Sequence, residues 1–137
     1  MSKVNFRVMG SPMGKQRPRV TKWGAYTPQK TVNYETLVQQ IYMTEVCTKL
    51  EGELEMKIRA YFDIPKSASN KKRLLMISDI IRPTKKPDID NICKLIADAL
   101  NKIAYHDDSQ IVSATVEKFY SEVPRVEVEI REVGAGV

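Results

Sequence analysis

The sequence predicts an α+β fold, with a mainly antiparallel sheet of about four strands and two main helices packed on one face. Three observations carry this. Four short segments alternate apolar and polar residues, the period of a strand with one wet face. Two longer segments place apolar residues at helical spacing. The length of 137 residues suits one domain spanning 1–137 with a core of its own.

In chain order, Val4, Phe6 and Val8 alternate with Asn5 and Arg7 as a first strand. A turn-rich basic segment follows from Gly10 to Pro28. Thr27-Pro28 or Thr31 opens a helix whose apolar positions are Tyr34, Leu37, Val38, Ile41 and Tyr42. The clearest strand comes next, with Leu54, Met56, Ile58, Ala60 and Phe62 on one face and Glu53, Glu55, Lys57 and Arg59 on the other. Between Pro65 and Pro87 stand seven basic residues and one acid, Asp79; Asn70–Ile81 reads as a short helix capped by Ser69. A second firm helix runs from about Asp88 to Ile103. Two strands close the chain, about Ile111–Phe119 and then Val126, Val128 and Ile130 alternating with charged residues. Packing helices on the apolar face of such a sheet gives the α+β class.

Composition excludes several classes. Hydrophobic residues are 42% and charged residues 28%, ordinary soluble values that argue against disorder and collagen. The longest apolar run is Leu74–Ile77, far short of the ~20 residues of a membrane span. Met1–Gly10 has no apolar stretch of the secretory kind, and Cys47 and Cys93 lack metal-site spacing, so the cytoplasm is the expected compartment. Charge is more telling. The net +5 is uneven: residues 1–50 carry eight basic and two acidic residues, and the rest of the chain is close to neutral. A basic end on a neutral body suits a polyanion partner, because neutralising phosphates releases counterions.

The chemistry concentrates in Lys86-Pro87-Asp88-Ile89-Asp90-Asn91-Ile92-Cys93-Lys94. At ~100° per residue, Ile89, Ile92, Cys93, Ile96, Leu100 and Ile103 form the core face of this helix. Asp90, Lys94, Asp98 and Asn101 lie nearly opposite. Asp88 and Asp90 converge only if Asp88 is still in the entering turn, which Pro87 favours. One reading is structural: acids at a helix N-terminus complement its dipole, and Asp90–Lys94–Asp98 is an i,i+4 ladder. The other is catalytic. His106-Asp107-Asp108-Ser109-Gln110 follows the same helix and can turn back toward it. Converging carboxylates hold hard cations such as Mg²⁺, which uses one or two of them plus substrate phosphate. A lysine on that face would stabilise charge developing at a scissile phosphate.

These strings, with Asp98-Ala99-Leu100-Asn101 and Asp107-Asp108-Ser109-Gln110-Ile111, closely resemble RusA-type Holliday junction resolvases, small endonucleases typical of phages and prophages. The match is dense over about residues 86–118 and looser over Gly10–Tyr34. The resemblance implies a homodimer dependent on Mg²⁺, with Mn²⁺ as its substitute, that cuts two strands of a four-way junction symmetrically in DNA recombination and repair. It puts the functional core on Asp88, Asp90, Lys94 and Asp108, the three aspartates holding the metal. The spacer before Asp107-Asp108 is a residue shorter than in the best-known bacterial member, which leaves the register of Asp107 against Asp108 open.

Further candidates are basic. Lys15, Arg17 and Arg19 alternate at strand spacing, with Trp23 and Tyr26 near enough to stack on a base or sugar. Lys71, Lys72, Arg73, Lys85 and Lys86 form a second phosphate-binding set, the last two abutting the expected metal site. His106 reads as a loop histidine, and Asp98 as either a partner of Lys94 or its ladder neighbour. Two rivals remain: a branched-DNA-binding module without catalysis, and a metal-dependent nuclease with no junction preference.

Overall fold

The computed structural model describes residues 2–16 and 18–134. The chain runs β1 (Lys3–Met9), β2 (Arg19–Thr21), β3 (Gly24–Tyr26), α1 (Gln29–Glu45), β4 (Leu54–Asp63), α2 (Asn70–Ile77) and α3 (Ile89–Leu100), then a 3-10 turn η1 (Asp108–Gln110), β5 (Ile111–Ser121) and β6 (Arg125–Glu132). The α+β expectation holds, with an extra hairpin, and the short helix expected over Asn70–Ile81 is present but ends at Ile77. Ser69 caps α2 as expected, its Oγ accepting from the Lys72 N–H at 3.3 Å.

The main sheet has the order β1-β6-β4-β5. Its register aligns Phe6, Val128, Ile58 and Val116 in one row across all four strands. The alternating residues of β1, β4 and β6 are buried on one face, where they meet Tyr34, Val38 and Tyr42 of α1 and Ile92, Leu95, Ile96, Ala99 and Leu100 of α3. Thus two helices do cover one face, and α2 leans on β5 at the sheet edge.

The sheet is mixed, which corrects the mainly antiparallel expectation. β6 pairs antiparallel with β1 and β4, but β4 and β5 are parallel. Alternation reports a half-buried strand and is blind to its direction. Direction is set by connection: α2 and α3 lie between β4 and β5, the long crossover that a parallel pair requires. A second correction concerns α3. It ends at Leu100, three residues before the expected end, because the chain breaks at Asn101 and Lys102 takes a left-handed φ of 70°. Its buried stripe takes in Leu95 and Ala99, whereas Ile89, expected in the core, is 51% exposed in the first turn. Cys93 and Ile103 are half-buried against the core. No helix among the described residues is long and apolar enough to cross a membrane.

Candidate active site

The entry to α3 is built by close packing. Asp88 is the N-cap residue, extended at φ −73° and ψ 155°, and its carbonyl accepts from the Ile92 N–H at 3.0 Å. The preceding Lys86–Pro87 peptide is cis. Pro12–Gln16 lies alongside, and together with Lys86–Asn91 it walls a groove that contains Asp88 and Asp90. The Lys15 N–H donates to the Asn91 carbonyl at 2.8 Å. Gly14 sits so close that a Cβ there would meet Pro87 Cβ at 2.8 Å and Asn91 Cβ at 3.0 Å, so this position takes only glycine without a shift of backbone.

Both acids face solvent. Asp88 makes no side-chain capping bond, and among the described residues neither Asp88 nor Asp90 has a hydrogen-bonded or ion-paired carboxylate. Further along the helix, Lys94 and Asp98 form an i,i+4 pair at 3.3 Å, and Asp98 also takes Lys15 at 3.4 Å. The Lys15 ammonium reaches both Glu35 oxygens at 3.2 Å. Asp98 therefore joins Lys94 to Lys15, and the Asp90 end of the expected ladder is left out. Lys15 differs from expectation: its charge is engaged by two carboxylates of α1 and α3, so it ties the groove wall to the helices. Lys94 is well exposed despite its partner.

Lys118 of β5 was missed by sequence reasoning. Its ammonium donates to the Lys85 carbonyl and lies 5.0 Å from the centre of the Phe62 ring. Partial burial holds it below the usual lysine range; nearby Asp88 opposes that shift and Lys85 reinforces it. The signal was present in the alternation, since Val116, Lys118 and Tyr120 share the face that pairs with the buried side of β4.

At the other end of α3, Asp107 and Asp108 are held differently. Asp107 caps η1 in a capping box: its Oδ2 accepts from the Ser109 N–H and hydroxyl, while Gln110 Oε1 accepts from the Asp107 N–H at 2.9 Å. The Ser109 bonds hold the Asp107 carboxyl below the usual carboxylate range. The Asp108 N–H donates to Asn101 Oδ1 at 3.0 Å, and its carboxylate makes no bond among the described residues. His106 pairs with Glu51 at 3.2 Å in the loop.

One chain does not gather all three expected metal ligands. Asp108 is tied to Asn101 past the last turn of α3, and Asp90 lies in the first turn; at 1.5 Å rise per residue this separates them by roughly 16 Å. Among the described residues no group of three His, Cys, Asp or Glu side chains is placed to hold a metal ion. Asp88 and Asp90 do fit part of one, as two free hard-oxygen donors, the number Mg²⁺ commonly takes when phosphate supplies the rest.

The basic candidates divide. Lys71 and Lys72 are exposed in the first turn of α2, Arg73 pairs with Glu122 at 3.5 Å, and of the exposed pair Lys85 and Lys86 the latter lines the groove. Arg17 lies outside the described residues, and Arg19 opens β2.

Comparison with known proteins places the chain in a family. Residues 9–131 match the model of a family described as endodeoxyribonuclease RusA. The chain is 42% identical to an uncharacterized protein, YqaN, of Bacillus subtilis (strain 168), over 98% of this chain and all of that protein. It is 45% identical over 51 residues, 36% of this chain and 39% of the relative, to a crossover junction endodeoxyribonuclease, rusA, of Lactococcus phage r1t. With β4, β5, nearly all of β6, α3 and both acidic segments inside the matched span, the chain belongs to the RusA endodeoxyribonuclease family.

Proposed function

We propose that this chain is a Mg²⁺-dependent endodeoxyribonuclease that resolves four-way DNA junctions by paired, symmetric phosphodiester hydrolysis. The observation that carries the reading is the state of Asp88. It occupies the N-cap, where an aspartate ordinarily bonds the helix's own N–H groups, and it does not do so. Among the described residues its carboxylate and that of Asp90 remain free in a groove lined by Lys86, and Lys118 lies close enough to Asp88 to feel its charge. Two uncommitted acids among cations suit a phosphate that arrives with a metal.

A Mg²⁺ held by Asp88 and Asp90 would polarise the scissile phosphate and lower the pKa of a bound water. The chain's own residues do the rest. Lys86 and Lys118 attract the phosphate to the groove. Lys94, held by Asp98, offers charge where negative charge grows in the transition state. The wall from Pro12 to Gln16, fixed by Lys15 and Gly14, sets the groove's width.

Asp108 enters through a second copy. β5 is an edge strand, exposed from Val112 to Thr115. Antiparallel pairing of this stretch with itself about a two-fold axis reverses the second α3 relative to the first. The Asp108 end of one helix then approaches the Asp88 end of the other. An isologous dimer also presents two equal sites to a pseudo-symmetric junction.

The test compares a four-way junction with linear duplex of the same sequence, in Mg²⁺ and in EDTA. Paired nicks at the junction, only with metal, are expected. Tight junction binding without cutting would favour the non-catalytic module, and equal cutting of duplex would favour an unselective nuclease.

A further inference from the structure

The β2–β3 hairpin has no use for its apolar residues within the fold. Val20 is 82% exposed, Trp23 87% and Tyr26 50%. The turn is nonetheless well formed. Arg19, Val20 and Thr21 pair with Tyr26, Ala25 and Gly24. Thr21 Oγ1 donates to the Gly24 carbonyl at 3.1 Å and accepts from the Trp23 N–H at 3.2 Å. Gly24 has a φ of +122°, a conformation that side chains resist. The two strands pack chiefly on each other. The fold thus builds a self-closed hairpin, ~10 Å long at strand rise, with a bare tryptophan at its tip.

Two observations say what covers that tryptophan. The first is charge: the Lys22 ammonium lies 5.1 Å from the centre of the Trp23 ring, within a region of net +6 over residues 1–50. An aromatic face beside a cation suits a nucleobase flanked by phosphates better than an apolar protein surface. The second is position. The wall of the acidic groove, bonded to α3 through Lys15, leads into β2 within four residues, at most roughly 14 Å of chain. A strand lying in the groove therefore runs close to the hairpin.

Resting on the resolvase reading above, we propose that Trp23 is the residue that senses the branch point, by stacking on a base left without a neighbour there. Linear duplex has no such base, as every interior face is already stacked. The hairpin thereby gives junction selectivity, while the groove supplies backbone contact to any DNA. Val20 and Tyr26 flank the tip and widen the apolar surface.

Trp23 is the only tryptophan of the chain, so its fluorescence reports the contact directly. Titrating the full-length protein in EDTA with a four-way junction should quench that emission, and matching linear duplex should leave it nearly unchanged. Trp23→Ala should weaken junction binding by roughly tenfold or more, the loss of one stacked base. Duplex affinity and the salt slope should stay put, and Trp23→Phe should restore most of the loss. Its exposure means the fold survives, which circular dichroism checks. Wild-type protein that prefers junctions, with unquenched emission and an indifferent Trp23→Ala variant, overturns the tryptophan's role and spares the resolvase reading. Protein with no preference for junctions over duplex overturns both.

Discussion

Two helical segments of this chain begin with an aspartate at the N-cap, and they use it in opposite ways. Asp107 closes its carboxylate onto Ser109 and receives Gln110 in return. Asp88 makes no side-chain capping bond, and its carboxylate has no partner among the described residues. The two also differ in the third residue of each helix. A capping box needs a side chain long enough to reach back to the N-cap N–H. Gln110 does so in η1, whereas α3 has Asn91 there, and its backbone carbonyl is held by Lys15 of the groove wall. The same residue type in the same local position thus becomes a local fastener in one place and an open ligand in the other.

Replacing the free acids should break this contrast most severely. Asp88→Asn, Asp90→Asn and Asp108→Asn should each abolish junction cutting, while junction binding survives or tightens because a charge repelling phosphate is gone. Asp107→Asn, which keeps an oxygen acceptor for Ser109, should cut normally. Measuring cleavage and binding for all four variants checks the division. Loss of folding at Asp88 alongside loss of cutting would return that residue to a capping role, and full activity of Asp108→Asn would remove it from the site.

Lys94 comes next. Lys94→Ala should lower the cutting rate by roughly 10²–10³, the loss of one transition-state donor, with little change in the Mg²⁺ concentration that half-saturates activity. An active variant would make Lys94 simply the partner of Asp98.

Much of this was legible before any coordinates. The pattern of β4, from Leu54 to Phe62, is buried on alternate residues as expected, and Ser69 does cap α2. The chemical string from Lys86 to Lys94 lies at one helix entry. Three features were not legible, each for a physical reason. The β4–β5 direction escaped because alternation is the same either way. The hairpin escaped because Val20 and Ala25 have no buried face to generate a pattern. The distance between Asp90 and Asp108 escaped because spacing along a chain does not say toward which end of a helix the returning loop folds. That end is set by the short break at Asn101, whose side chain binds Asp108 directly.

A smaller effect separates cations that meet DNA from those that hold the protein together. Each of Lys71, Lys72, Lys85 and Lys86 that contacts phosphate should contribute ~0.9 log units of affinity per log of salt. Replacing one by Ala should flatten the slope by about one unit and weaken all DNA alike. Lys15→Ala should leave the slope nearly intact and lower thermal stability, because its charge is already met by Glu35 and Asp98. Salt titrations of the variants distinguish the two groups, and a flattened slope for Lys15→Ala would make that lysine a phosphate contact after all.

The smallest expected effect lies in the pH response of Asp107. Its carboxyl is held below the ordinary value of 3.8 by the Ser109 hydroxyl and N–H. The folded state therefore binds that proton less readily than the unfolded chain does. The stabilisation is fully present above about pH 3.8 and is lost as pH falls below it, through the lower folded value. Asp107→Asn keeps an acceptor but cannot titrate, so the melting temperature of the wild type relative to this variant should rise with pH across that acidic range and then level off. Carbon NMR of the Asp107 carboxyl should show its midpoint below 3.8. A midpoint at or above that value, or a melting difference that does not change with pH, would mean that the carboxylate is not held by Ser109. Asp107 would then be as free as Asp108, and the two acids would again compete for the part assigned to one of them.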